Sequence, residues 1–282
     1  MLIDYDHEVL GQVKGVIEKI KDLSGEAFVP EFVDAFVKVS GKEYFWLDTS
    51  SPSLELELNK IHNLPLAFFD VESIVKLTEI FSRIVDFRSR FTATHSRGVS
   101  ASAVALARLA GFSEKECIMM EIAGYLHDLG KLAVPKEILE KPDKLSMQEF
   151  NVVRSHTYHT YRILSHMQDF KTINQWASFH HERLDGSGYP FHISEFDFPL
   201  GSRIMSVSDV FTAVSEDRPY REGMSIEKAL STIVSMAKNH SLDPYVVSLL
   251  ERNVQFVDDT RKSAQIDAVR EYEAFSKFGL LY

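Results

Sequence analysis

The chain has 282 residues, and its 31 Lys plus Arg against 41 Asp plus Glu give a net charge of -10. That balance excludes avid nonspecific binding to a nucleic-acid polymer or an anionic membrane, but leaves room for a small phosphate ligand met by a local group of cations. A single cysteine, Cys117, excludes an intrachain disulfide and any multi-cysteine zinc site.

The acidic start, Met1 to Asp6, does not read as a signal peptide. The longest apolar run, near Val104 to Leu109, is far short of a membrane span, so a cytoplasmic protein without membrane contacts is expected. Residues 1–64 read as a small helical unit. Val9, Val13, Val16, Ile17 and Ile20 recur at helical spacing, and Pro30 opens a second helix carrying Phe32, Val33, Phe36 and Val37. This unit holds only His7 and His62 and no recognisable site, which points to packing, homodimerisation or signal input.

From Val71 onward the pattern is continuously helical. Val71, Ile74, Val75, Phe81, Ile84 and Val85 form one apolar stripe, and a second helix runs from about His95 to Gly111. Ser113 and Glu116 form a capping box for a helix ending at His127-Asp128, beside which Cys117 reads as a core residue. Ser146 and Glu149 repeat the device and open the helix expected to carry His156. A helical piece from Asn174 to His180 leads into the polar loop Glu182 to Pro190, whose Gly186 and Gly188 allow close backbone approach to a ligand. Further helices are expected from Pro199 to Val214, from Ser225 and from Asp243-Pro244, with a charged amphipathic tail over 259–282. No segment alternates as strands do, so the fold class is all-α, with the main domain over 65–258.

The chemistry concentrates at helix ends. His95, His127, Asp128, His156, His180, His181 and Asp209 each follow or interrupt an apolar stripe, and so are expected to point inward. Asp209 sits among Val207, Val210 and Phe211, where an uncompensated carboxylate costs several kcal/mol. A divalent cation would resolve that cost, and mixed imidazole and carboxylate donors suit Fe, Mn, Zn or Ni. Two octahedral ions offer about twelve coordination positions. If Asp128 and one hydroxide each bridge both, they and the other six side chains leave roughly two positions free for phosphate oxygens, which suits hydrolysis better than a closed structural site.

With Gly130-Lys131, Arg183 to Pro190 and Asp217 to Arg221 added, this set resembles the HD-GYP domain, a branch of the HD-domain phosphohydrolases. Gly188-Tyr189-Pro190 after His180-His181-Glu182 carries the name-giving signature. The resemblance covers about residues 65 to 255. It implies an HD-type helical bundle and a metal-dependent phosphodiesterase that opens cyclic di-GMP to pGpG and onward to GMP. The implied metal ligands are His95, His127, Asp128, His156, His180, His181 and Asp209, with Asp128 bridging. The implied substrate contacts are Lys131, Tyr189, Arg218 and Arg221, with Arg183, Gly188 and Pro190 in the same loop. Lys131 would neutralise developing charge in the reaction, and Asp185 would shuttle a proton or hold the loop through Arg183.

Some positions depart from the family pattern. Phe91 stands where members with a third metal carry Glu, so two ions are expected, iron by preference with manganese as substitute. Thr160 stands where Gly is usual, Thr212 where Asp is usual, and Ser208 where Ala is usual. A cyclic di-GMP sensor with little turnover, and a broader HD hydrolase acting on nucleoside phosphates, are the alternative readings.

Overall fold

The helix signals of the sequence coincide with helix ends in the computed structural model, which describes residues 10–42, 45–46, 69–88, 94–141, 143–193, 195–216 and 222–277. Two compact units divide at Phe68/Phe69. In the first, α1 (Val13–Asp22) and α2 (Pro30–Ser40) bury Val16 and Val33. Trp46 is also buried there, with its ring 5.8 Å from Phe36 and its indole N–H donating to Ser40 O at 2.7 Å.

The second unit contains α3 (Val71–Arg88), α4 (His95–Leu109), α5 (Glu114–Leu126), α6 (Lys136–Leu139), α7 (Met147–Arg154), α8 (His156–Leu164) and α9 (Lys171–Ser178). It continues through α10 (Leu200–Ser215), α11 (Ile226–Lys238), α12 (Pro244–Arg252) and α13 (Val254–Lys277). Among the described residues there is no strand, only an isolated bridge between Ser24 and Phe28. The all-α expectation is correct.

Both capping boxes form. Ser113 N donates to Glu116 at 2.8 Å and Ser146 N donates to Glu149 at 2.7 Å, so each helix begins where the sequence signals it. Asp243 caps α12 through Tyr245 N and Val246 N at 2.7 and 3.2 Å, with Pro244 in the first turn. Gly111, at φ +85°, ends the chain's turn out of α4 in the left-handed region that glycine tolerates.

The core centres on α4, which packs against α5, α10 and α13. Val99, Leu106, Met120, Ile204, Phe211 and Val257 are fully buried in it. Cys117 lies in this core as expected.

Three expectations need correction. The stripe on α3 divides: Val85 is buried, whereas Val71, Phe81 and Ile84 are exposed. The face turned inward carries Ile74 and Val75 of that stripe, packed on the core, and then Thr78, Ser82, Val85 and Asp86, which are buried. Second, the 258/259 boundary falls inside the continuous helix α13, whose Asp258, Arg261 and Ala268 are buried, so this helix is part of the second unit. Third, the capping box at Ser146 opens α7, which stops at Arg154, and His156 begins the next helix.

α4 and α5 meet closely enough that a Cβ on Gly124 would lie 2.5 Å from Ser100 Cα. Gly124→Ala is therefore expected to destabilise the fold by about 1–3 kcal/mol, as overpacking does. Chemical denaturation followed by circular dichroism measures this, and an unchanged midpoint would contradict the contact.

Candidate metal centre

Helix ends, rather than helix faces, deliver the polar side chains. His127 follows α5, with Asp128 before a 3-10 turn (Leu129–Ala133); His156 starts α8; His180 and His181 follow α9; His95 starts α4. Asp209 alone comes from a helix interior, in α10. The turn after Asp128 is held against α8. Gly130 N donates to Thr160 Oγ1 at 2.9 Å, and Thr160 Oγ1 donates to His127 O at 3.1 Å. A side chain at position 130 would strike the His156 carbonyl, which accounts for the glycine. Thr160 thus ties together two segments that carry site residues.

All seven side chains converge. Donor atoms of His95, His127 and Asp209 lie within 4.8 Å of one another, as do those of His156, His180 and His181, and those of His127, Asp128 and His180. His95 Nε2 is 3.1 Å from Asp209, His127 Nε2 is 3.3 Å from Asp128, and His156 Nε2 is 3.4 Å from the other Asp128 oxygen. All but His181 are buried; His181, with its side chain 32% exposed, stands at the mouth.

The hydrogen bonds fix which nitrogens are left over. His127 Nδ1 donates to Gly124 O at 2.8 Å, His156 Nδ1 to Val153 O at 2.7 Å, and His180 Nδ1 to Ala177 O at 2.7 Å. A carbonyl only accepts, so Nδ1 carries a proton in all three. The rings of His156 and His180 stay neutral and turn an unprotonated Nε2 inward, whereas at His127 burial is outweighed by Asp128, which raises it, so that a metal would have to deprotonate its Nε2. His156 Nε2 and His180 Nε2 then face each other at 3.4 Å with two lone pairs and no proton between them. His127 Nε2 is buried without a hydrogen-bond partner among the described residues.

Burial, joined by repulsion from neighbouring cations, holds the His156 imidazole down at about 3 and that of His180 well below its ordinary value, so both stay neutral. Burial opposes ionisation of Asp128, but Lys131 and His127 outweigh it and keep the carboxyl well below its usual range. Lone pairs without protons beside ionised, buried carboxylates are a donor set for a divalent cation, and the residues fit two such ions. His95 differs: burial disfavours its charge, but Glu216 and Asp209 on either side raise it to about 10, so a proton on Nε2 answers Asp209 where no metal does.

The loop after His181 forms one wall of a groove of about 420 Å³ lined also by His181, Arg183, Tyr189 and Asp209 beside apolar Met236 and Leu242. Buried Glu182 holds this loop, accepting from Phe191 N at 2.7 Å and Ile193 N at 3.2 Å. Gly188 lies against the backbone of Glu182 and Arg183, too close for a Cβ. The Tyr189-Pro190 peptide is cis, and the Tyr189 ring sits 5.0 Å from His181. Lys131 Nζ reaches Asp128 at 2.6 Å and keeps 22% of its side chain exposed.

Asp185 is elsewhere. Its exposed carboxylate accepts from Ser187 N at 2.9 Å, a local turn that also holds it below its ordinary value, and it does not line the groove. The geometry favours its loop-holding role over proton transfer. Arg218 and Arg221, and Phe91, lie outside the described residues. Sequence reasoning missed the roles of Glu182, Glu216 and Asp86, whose partners are distant in the chain. Asp86, raised to about 7 by burial, accepts from Ser96 N and Oγ at 3.3 and 2.8 Å and so caps the helix that starts with His95.

A helical domain presenting an adjacent His-Asp pair among converging histidines defines an HD domain. The family model described as HD domain matches residues 79–246, and the chain belongs to that family, in its HD-GYP branch. A 3'3'-cGAMP-specific phosphodiesterase of Vibrio cholerae is 33% identical over 242 residues, 84% of this chain and 56% of the relative. The cyclic di-GMP phosphodiesterase response regulator RpfG of Xanthomonas campestris is 36% identical over 173 residues, 61% of this chain and 46% of the relative. Among solved structures, a cyclic GMP-AMP specific phosphodiesterase of Vibrio cholerae aligns with a TM-score of 0.53 at 28% identity, covering 86% of this chain and 56% of that one. The chain spans about half the length of these relatives. No helix among the described residues is long and apolar enough to cross a membrane.

Asp128→Ala removes the carboxylate that touches His127, His156 and Lys131. The expected outcome is loss of both ions by elemental analysis, with helical content retained. Full occupancy in the variant would contradict the bridging assignment.

Proposed function

We propose that the chain is a metal-dependent phosphodiesterase that opens a guanine-containing cyclic dinucleotide, with cyclic di-GMP as substrate, pGpG as first product and GMP as the product of further cleavage. The observation that carries this reading is the convergent donor set of seven side chains, of which His180, His181 and Asp209 open onto a groove that Arg183 and Tyr189 also line, with Lys131 bound to Asp128. His95, His127 and Asp209 would hold one ion and His156, His180 and His181 the other, with Asp128 between them. When bound, the two ions supply a hydroxide equivalent near neutral pH and stabilise charge on the phosphoryl oxygens.

The chain's own residues do the rest. Lys131 is tied to Asp128 yet exposed on one side, and it presents its ammonium to an equatorial phosphate oxygen where charge grows. Tyr189 offers a ring face beside His181 and a hydroxyl that stays protonated, since burial raises it far above its ordinary range. Arg183 brings positive charge to the groove, and Arg218 and Arg221 are taken as further substrate contacts on the strength of the sequence resemblance. These cations answer the otherwise acidic chain. Iron is the expected metal and manganese its substitute, because nitrogen-rich octahedral sites with carboxylate bridges suit both.

A second reading of the substrate is 3'3'-cGAMP. It is favoured by the Vibrio cholerae relatives named for that ligand, which match 84% and 88% of this chain.

Protein prepared without oxygen and loaded with Fe or Mn, given cyclic di-GMP and 3'3'-cGAMP in parallel, is expected to release linear dinucleotides detectable by chromatography. Hydrolysis of neither would refute the proposal; faster hydrolysis of 3'3'-cGAMP would select the second reading. Lys131→Met should lower kcat by roughly 10²-fold or more, in line with loss of one charge-stabilising donor. Arg218→Ala should raise KM with metal content unchanged, and lost metal in that variant would overturn its role as a substrate contact.

A further inference from the structure

Three of the inward-facing histidines share one support. His127, His156 and His180 each donate Nδ1–H to the carbonyl three residues earlier, those of Gly124, Val153 and Ala177, which helix ends leave available. His95, the first residue of α4, is supported differently. Its Nδ1 faces a carboxylate instead: Glu216 Oε1 and Oε2 lie 3.1 and 3.2 Å away, 121 residues along the chain.

Glu216 is itself held from the C-terminal helix. Gln265 on α13 donates from Nε2 to Glu216 Oε2 and to Thr94 O, each at 3.4 Å. Its orientation is set by chemistry, since Oε1 accepts from Arg261 Nη1 at 2.6 Å and the guanidinium only donates. Arg261 is in turn fixed by buried Asp258 at 2.6 Å. α4 makes room for this crossing with Gly98, where a Cβ would meet Gln265 Nε2 at 2.8 Å.

We propose that Glu216 is a positioning residue for the metal ligand His95, and that Gln265 holds Glu216 in that role. The inference rests on the binuclear reading above. A carboxylate on Nδ1 fixes the tautomer, aims Nε2 at the space shared with Asp209 and strengthens the nitrogen as a donor, as outer carboxylates do for metal-bound imidazoles. Thr212, one turn earlier on α10, cannot supply that charge, and its hydroxyl is buried without a partner among the described residues.

The test uses the full chain stripped of metal and titrated with Mn²⁺ alone, with ions counted per chain and affinities read by competition with a chromophoric chelator. Wild-type protein is expected to bind two ions. In Glu216→Ala the ion held by His95, His127 and Asp209 should weaken roughly ten- to a hundred-fold, while the other stays within a few-fold of wild type. Glu216→Gln keeps an acceptor for Nδ1–H and should lose less; Gln265→Ala should weaken the same ion by a smaller factor. A residue that only supports packing would weaken both ions alike and would gain nothing from the Gln variant. Two ions bound by Glu216→Ala with wild-type affinities, or both weakened equally, overturns the proposal and leaves the binuclear reading standing. Wild-type protein that binds no ion overturns both. Should Glu216→Ala fail to fold, Glu216→Gln and Gln265→Ala carry the same comparison.

Discussion

Two imidazole nitrogens without protons, buried and 3.4 Å apart on His156 and His180, repel each other unless a cation lies between them. The rest of the domain is arranged around that requirement. Backbone carbonyls commit one nitrogen of each ring to donation, burial keeps the rings neutral, and ionised Asp128 and Asp209 add negative charge in the same small volume. A hydrophobic core alone would reject such a cluster. Helix ends tolerate it, because their unpaired carbonyls are on hand to orient each ring.

The supports around the cluster are mostly single atoms rather than large surfaces. Thr160 bridges the His127 carbonyl and Gly130, so a residue in place of the family's usual glycine adds a cross-link between two ligand-bearing segments. Glu182 holds the signature loop by accepting from Phe191 and Ile193, which places Tyr189 beside His181. Asp86 does for the start of α4 what a local cap would have done, since Thr94 makes no capping bond. Each device trades a buried polar group for a fixed position of a site residue.

Local signals were readable without the structure. The two capping boxes, the Pro244 start and the left-handed Gly111 are short-range chemistry, and they set helix ends within a residue or two. Seven candidate ligands were equally visible, since a His or Asp that interrupts an apolar stripe contradicts its surroundings. What could not be read depends on contacts between distant segments. The inward face of α3 mixes Ile74, Val75 and Val85 with buried Thr78, Ser82 and Asp86, so apolar periodicity alone misassigns Phe81 and Ile84. α13 is charged enough to resemble a solvated tail, yet Asp258 and Arg261 satisfy each other inside the domain. Glu216 looks like any acidic residue at a helix end until His95, 121 residues away, lies against it.

The groove ties this centre to the choice of substrate. Its polar wall carries Arg183, a cation suited to phosphate, and Met236 and Leu242 add apolar surface of the sort a base can lie on. The account depends above all on two ions sharing Asp128. Anomalous diffraction from crystals grown with manganese, recorded at an energy where manganese scatters anomalously, tests this most directly. Two peaks about 3.5–4 Å apart with Asp128 between them are predicted, the separation usual for paired catalytic metals. A single peak, or two peaks that do not share Asp128, would contradict it.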